Sequence, residues 1–214
     1  MDRFSLLLEA LSWVAVVAFA LAGALTASRK QLDPVGFILM ASITGFGGGT
    51  LRDLLLGAPV FWLAAPEVVG VTFALAVLTF FMAHRVERRF VIVLWADAVG
   101  MALFAVLGAE ASLRHGAHPW AAVLMGVITA TFGGLIRDVV GNEVPMLLRK
   151  EIYATAAFLA AVVFVGLYEV GLGRDLAVGA GMLAGFLLRA AAIRHGWSLP
   201  SYRARPGRDY PDGR

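Results

Sequence analysis

The sequence predicts an all-α polytopic membrane protein, with seven transmembrane helices arranged as an inverted 3+3 repeat plus a seventh helix. Three observations predict it. Of the 214 residues, 60% are hydrophobic and 15% charged, with a mean hydropathy of +0.80, whereas an average soluble domain is about 25% charged and about 45–50% apolar. The apolar runs approach the ~20 residues that cross a hydrocarbon core of ~30 Å as helix, rather than alternating over short segments as barrel strands do. Finally, the chain repeats itself at a constant offset of 85 residues.

The spans expected from runs bounded by charges or turn residues are 7–28, 34–56, 68–83, 90–109, 119–140, 152–170 and 176–193. The first run carries Glu9, lacks the strong basic start of a secretory leader and takes part in the repeat, so it is expected to be retained. Pro34 and Pro119 stand where the second and fifth spans should begin, the position at which a missing N–H costs least. Arg29, Lys30, Arg85, Arg88, Arg89, Arg149, Lys150, Arg189 and Arg194 collect on one side, with Arg203, Arg205, Arg208 and Arg214 of the tail. Only Arg3, Arg114 and Arg174 fall on the other. This bias places the C-terminus in the cytoplasm and the N-terminus outside. Residues 1–199 are read as a single transmembrane domain, and 200–214, polar with Pro and Gly, as a disordered cytoplasmic tail.

The offset superposes Phe19 on Phe104, Gly23 on Gly108, Pro34 on Pro119, Thr44 on Thr129, Gly48 on Gly133, Gly49 on Gly134, Arg52 on Arg137 and Asp53 on Asp138. Repeat one covers about 7–83 and repeat two about 90–170. Three spans per copy is an odd number, so the second copy enters the membrane from the opposite side, and the pair is related by a pseudo-two-fold axis in the membrane plane.

Both copies interrupt an apolar span with glycine and then place two charges: "TGFGGGTLRDLLLG" from Thr44 and "TATFGGLIRDVVG" from Thr129. Glycines at matching positions in inverted halves point to a transport site, although small residues also let membrane helices pack closely. Gly47, Gly48, Gly49, Gly133 and Gly134 are read as kinks facing a polar pathway, and Thr44, Thr129 and Thr131 either line it or bond their own helix. An ionised residue deep in a span costs at least about 2.5–3.5 kcal/mol and so marks a pathway or a partner. Arg52, Asp53, Arg137 and Asp138 are therefore pathway candidates or pins between helices. Adjacent helical residues point ~100° apart, so a simple Arg–Asp pair within each helix is not expected to be the whole arrangement. Asp97, in "LWADAVG", is a candidate partner from a neighbouring helix, while the first repeat has Ser12 at the matching place. Glu67, Glu143, Glu151 and Tyr153 are expected at solvated helix ends.

Enzyme classes find no support. The glycine stretch lacks a phosphate loop's Gly-Lys-Ser/Thr ending, there is no cysteine and no His-Glu-x-x-His, and His84, His115 and His118 have no metal-ligand spacing. Basic residues scattered at segment ends do not form a nucleic-acid surface, and neither a metal nor a cofactor is expected.

The segments "FGGGTLRDLLLG" and "FGGLIRDVVGNEVP", with "FALAG" and "DAVGMALFAVLG" ahead of them, resemble the prokaryotic trimeric intracellular cation (TRIC) channels, whose bacterial relatives carry the label of a glycine-transporter domain. The resemblance covers about residues 7–195. It implies a homotrimer in the plasma membrane of a bacterium or archaeon, with lipid around it and a separate pore in each protomer. It also implies conduction of monovalent cations, chiefly potassium, along kinked second and fifth spans. Ser12 departs from the carboxylate common in the family's first helix, and the basic pattern of phosphoinositide-binding animal relatives is missing, so lipid regulation is not carried over. The alternative reading is a secondary transporter for a small zwitterion such as glycine, working by alternating access, an architecture in which inverted repeats are common.

Overall fold

Proline and capping residues set the helix starts. In the computed structural model, which describes residues 3–86 and 88–200, the helices are α1 (Arg3–Arg29), α2 (Pro34–Leu55), α3 (Phe61–Ala64), α4 (Pro66–Met82), α5 (Arg89–Arg114), α6 (Pro119–Val140), α7 (Ala154–Glu169) and α8 (Arg174–His195). Pro34, Pro66 and Pro119 all open their helices, and the Asp33 carboxylate accepts the Gly36 N–H at 2.7 Å to cap α2. Six of these helices have the length and hydropathy to cross a membrane, and α7 is a shorter apolar helix of 16 residues. Seven spans are therefore present, at close to the expected boundaries. Hydropathy alone missed the four-residue α3, which lies in the connection after α2. It also stopped the fourth span early: α5 runs on to Arg114 and carries Glu110 with it. All of the tail read as disordered except Pro200 lies outside the described residues.

Successive spans alternate in direction. The start of α1, the end of α2, the end of α5 and the start of α8 share one end of the bundle, called the N-face here; Arg174 and Arg114 both meet Glu110 there. The opposite C-face holds the ends of α1, α6 and α8, where Arg29 meets Glu143.

Repeat one is α1, α2 and α4; repeat two is α5, α6 and α7. α1 packs on α2 and α5, and α2 on α6, while α8 lies outside the pair against α7 and α5. The inverted symmetry can be read atom by atom. The rings of Phe19 and Phe104, 85 residues apart, meet with centroids 5.4 Å apart. A Cβ on Gly48 would overlap the carbonyl oxygen of Thr129, and a Cβ on Gly133 would overlap that of Thr44. These two contacts are the same contact, exchanged by the two-fold axis.

α2 and α6 run as unbroken helix through Gly47–Gly49 and Gly133–Gly134. Gly48 and Gly133 remove side chains where the two backbones touch, as small residues do at membrane helix crossings. Of the two fates open to the threonines, bonding their own helix is the one seen. Thr44, Thr129 and Thr131 are buried, and their hydroxyls donate to Met40, Met125 and Val127 of their own helices at 2.6–2.9 Å. With no water to solvate them, an internal bond is the cheapest partner available.

Placing any side chain at the crossing must separate α2 from α6. Gly48→Ala is expected to lower the thermal stability of the purified protein by the ~1–3 kcal/mol typical of overpacking. Gly70→Ala, in α4 with open space around its Cα, should be neutral or slightly stabilising. Thermal unfolding in detergent, followed by size-exclusion fluorescence, compares the two.

Candidate permeation site

Each repeat builds one charged module from the turn after its glycines. In the first, Arg52 Nε donates to Asp53 Oδ1 at 2.7 Å, and the other Asp53 oxygen accepts the Phe61 N–H at 2.9 Å. In the second, Arg137 Nε donates to Asp138 Oδ1 at 2.9 Å, and Asp138 Oδ2 accepts the Met146 N–H at 2.8 Å. Phe61 and Met146 are again 85 residues apart. The pairing of adjacent residues argued against on helical geometry does occur, because the arginine side chain is long enough to fold back over its neighbour. The aspartate's second oxygen meanwhile pins the start of the next helical turn.

The modules differ in what surrounds them. Arg137 is fully buried and gains a second carboxylate: its Nη1 donates to Asp97 Oδ1 at 2.6 Å. Asp97 was the right kind of partner, but it serves Arg137 in its own repeat rather than Arg52. Tyr153 and Met146 complete the enclosure. A Cβ on Gly134 would lie 3.1 Å from the Tyr153 hydroxyl and 3.3 Å from Asp97 Oδ1, so this glycine makes room for the cluster. Met146 Sδ lies 3.6 Å from Arg137 Nη2.

Arg52 has no counterpart of Asp97, because Ser12 stands there. It lies instead on the wall of an N-face cavity of about 350 Å³. Ser12, Trp13 and Phe61 share that wall, together with the carboxylates of Glu9, Glu67 and Glu110 and the guanidinium of Arg114. The cavity extends down to Val16 and Leu107. One turn deeper, Phe19 and Phe104 are 0% and 1% exposed and close the way to the glycine crossing. One end of the repeat is therefore open as a vestibule and the other is sealed by a buried ion cluster.

The seal is a lid, the segment of residues 141–153 between α6 and α7. Glu143 ties it to repeat one through Arg29 and Lys30, both at 3.2 Å. Although burial alone would raise its pKa, the hydrogen bonds and charges of Lys30 and Arg29 hold the carboxyl below the usual carboxylate range. Arg189 of α8 holds the other end of the lid, donating to Glu151 Oε2 at 2.7 Å and to the Ile152 carbonyl at 3.2 Å, with its guanidinium 5.2 Å from the Tyr153 ring centroid.

Sequence reasoning missed several of these residues. Glu143 and Glu151 are ion-paired and Tyr153 is buried, not solvated at helix ends as expected. Arg189 was grouped with the basic residues of the cytoplasmic side, yet it is 1% exposed inside α8; its place ahead of the apolar stretch Ala190–Ile193 was the available signal. Glu110 fell beyond the expected end of its span. Among the described residues no group of His, Cys, Asp and Glu is spaced to hold a metal.

An unbroken pair of crossed helices, two inverted charged modules and a cavity at one end define an inverted-repeat helical membrane protein. A family model described as Glycine transporter matches residues 9–84 and again 94–169, two stretches that are themselves 85 residues apart. The UPF0126 membrane protein of Vibrio cholerae is 37% identical over 92% of this chain and 83% of its own length. The UPF0126 inner membrane protein YadS of Escherichia coli K12 is 38% identical over 88% and 93%. Among solved structures, the TRIC trimeric intracellular cation channel orthologue from Rhodobacter sphaeroides superposes with a TM-score of 0.87 at 51% identity, covering 89% of this chain and 99% of that one. Another prokaryotic TRIC channel gives 0.86 at 33%, covering 91% and 100%. The chain belongs to this family of prokaryotic TRIC channels and UPF0126 membrane proteins.

The unequal surroundings of the two modules should show in stability. Arg137→Gln leaves two buried carboxylates without their cation and is expected to cost ~3–5 kcal/mol, whereas Arg52→Gln, beside the vestibule, should cost about 1 kcal/mol or less. Thermal denaturation of both variants measures the gap.

Glu143→Gln should lower stability by about 1 kcal/mol at neutral pH. Because the folded carboxyl titrates low, the clamp is fully present above the ordinary carboxylate pKa of ~4.3 and is lost as pH falls through the depressed value. The difference from wild type should accordingly vanish in acid, which unfolding measured across pH 3–7 will show.

Proposed function

We propose that this protein is a potassium-permeable cation channel, assembled as a homotrimer, with a path in each protomer along the α2–α6 crossing. The N-face would open to the outside and the C-face to the cytoplasm. The observation that carries this reading is the charge balance at the two ends of the path. At the C-face Arg137 is outnumbered by Asp97 and Asp138. In the vestibule Arg52 and Arg114 face Asp53, Glu9, Glu67 and Glu110. Each arginine of the two modules is matched by fixed carboxylates, so neither presents an unpaired positive charge that would repel a permeating cation. The solved Rhodobacter sphaeroides relative, named as a cation channel, supports the same reading, and the excess of basic residues on the C-face supports the orientation.

The conformation described is closed, by Phe19 and Phe104 at the centre and by the lid over Arg137. Opening requires the lid to lift or the crossing to shift. The threonine carbonyls now buried against Gly48 and Gly133 would then be available to a dehydrated potassium ion, since backbone carbonyls are its usual ligands.

A second reading has its own support. A vestibule with both signs of charge suits a small zwitterion, and inverted repeats are common in carriers. Reconstitution separates the two. We expect purified protein in planar bilayers to give unitary potassium currents, reduced severalfold in Asp97→Asn. Saturable glycine uptake driven by a sodium or proton gradient, without unitary currents, would reverse the assignment.

A further inference from the structure

The unrepeated helix α8 has no symmetry partner, yet its buried charge and its C-terminal end both converge on the lid. Gly196, at φ 65°, ends α8 in the left-handed region and turns the chain back toward the C-face. The chain then runs extended. The Leu199 N–H donates to the Lys150 carbonyl at 2.8 Å, and Ser198 pairs with Glu151 in an antiparallel bridge. Pro200 restricts Leu199 to the extended backbone that this pairing requires. About two turns earlier on α8, Arg189 grips Glu151 and the Ile152 carbonyl and covers the ring of Tyr153. Tyr153 is the residue whose hydroxyl closes over Asp97 beside Gly134.

We propose that the segment 196–199 and Arg189 form a latch that holds the lid shut over the Arg137 cluster, so that α8 sets how readily the C-face opens. The latch rests on the reading that this cluster closes the path. Two grips share the work. The strand pairing fixes the lid backbone at Lys150 and Glu151, while Arg189 fixes the two residues that follow and orients Tyr153. Neither grip touches the α2–α6 crossing, so the latch can release without unfolding the bundle. Its backbone bond is also exposed to solvent, whereas the Arg137 cluster is sealed. Release of this bond is therefore a first step of opening that leaves the cluster intact. Arg189 acts here as a positioning residue, through Tyr153 rather than on an ion.

Leu199→Pro tests the latch, because proline deletes the one N–H that reaches Lys150 while leaving the helices untouched. Leu199→Ala keeps that N–H and is the control. Two readouts are needed. In planar bilayers, Leu199→Pro should raise open probability about five-fold, the effect of one lost hydrogen bond on the closed state, with unitary conductance unchanged. In a Met146→Cys background, in which the new thiol is the chain's only one and sits on the buried underside of the lid itself, a charged thiol reagent should react about five-fold faster when Leu199→Pro is added. Leu199→Ala should match wild type in both. Equal reactivity and equal open probability in wild type and Leu199→Pro would overturn the latch. If the wild type carries no current but Leu199→Pro still speeds thiol modification, the latch stands and the channel reading falls.

Discussion

Two glycine-to-carbonyl contacts hold this molecule in its arrangement. Gly48 against Thr129 and Gly133 against Thr44 bring two helix backbones closer than any side chain would permit. In lipid, apolar side chains gain little by leaving one greasy environment for another, so close van der Waals approach replaces hydrophobic burial as the force between helices. The rest follows from that crossing. It fixes the pseudo-two-fold axis, sets Phe19 against Phe104 beside it, and sends the Arg–Asp modules to opposite ends of the bundle.

The two ends have the same backbone plan and different chemistry. One substitution within the repeat, Ser12 where the second copy has Asp97, separates them. With Asp97, Arg137 acquires enough negative charge to be buried, and a lid can close over it. With Ser12, Arg52 keeps only Asp53 close by and stays at a wet wall. A symmetric protein would be open or closed at both ends alike. Here one Arg–Asp module lines a cavity and the other is buried.

Much of the fold could be read from the residues. Pro34, Pro119 and the 85-residue offset placed the helices and their inversion, and Asp97 was recognisable as a carboxylate in need of a cation. The role of the glycines was not legible in the same way. Removing a side chain loosens a helix only if nothing takes its place, and the Thr129 carbonyl that takes it lies on another helix 81 positions along the chain. Glu143, Arg189 and Tyr153 escaped for a related reason. Each stands near a helix end, where solvation is the cheaper fate unless a partner distant in sequence arrives, and Arg29, Glu151 and Asp97 are such partners.

The central claim is that α2 and α6 are intact helices locked together at their glycines, with any path closed at rest. Amide hydrogen exchange of the reconstituted protein in lipid nanodiscs tests this most directly. Amides of Gly47–Gly49 and Gly133–Gly134 should exchange as slowly as those of the flanking helical turns, because their N–H groups are bonded within helix and shielded from water. Fast exchange confined to those five residues would show broken, wetted backbone at mid-membrane and contradict the account.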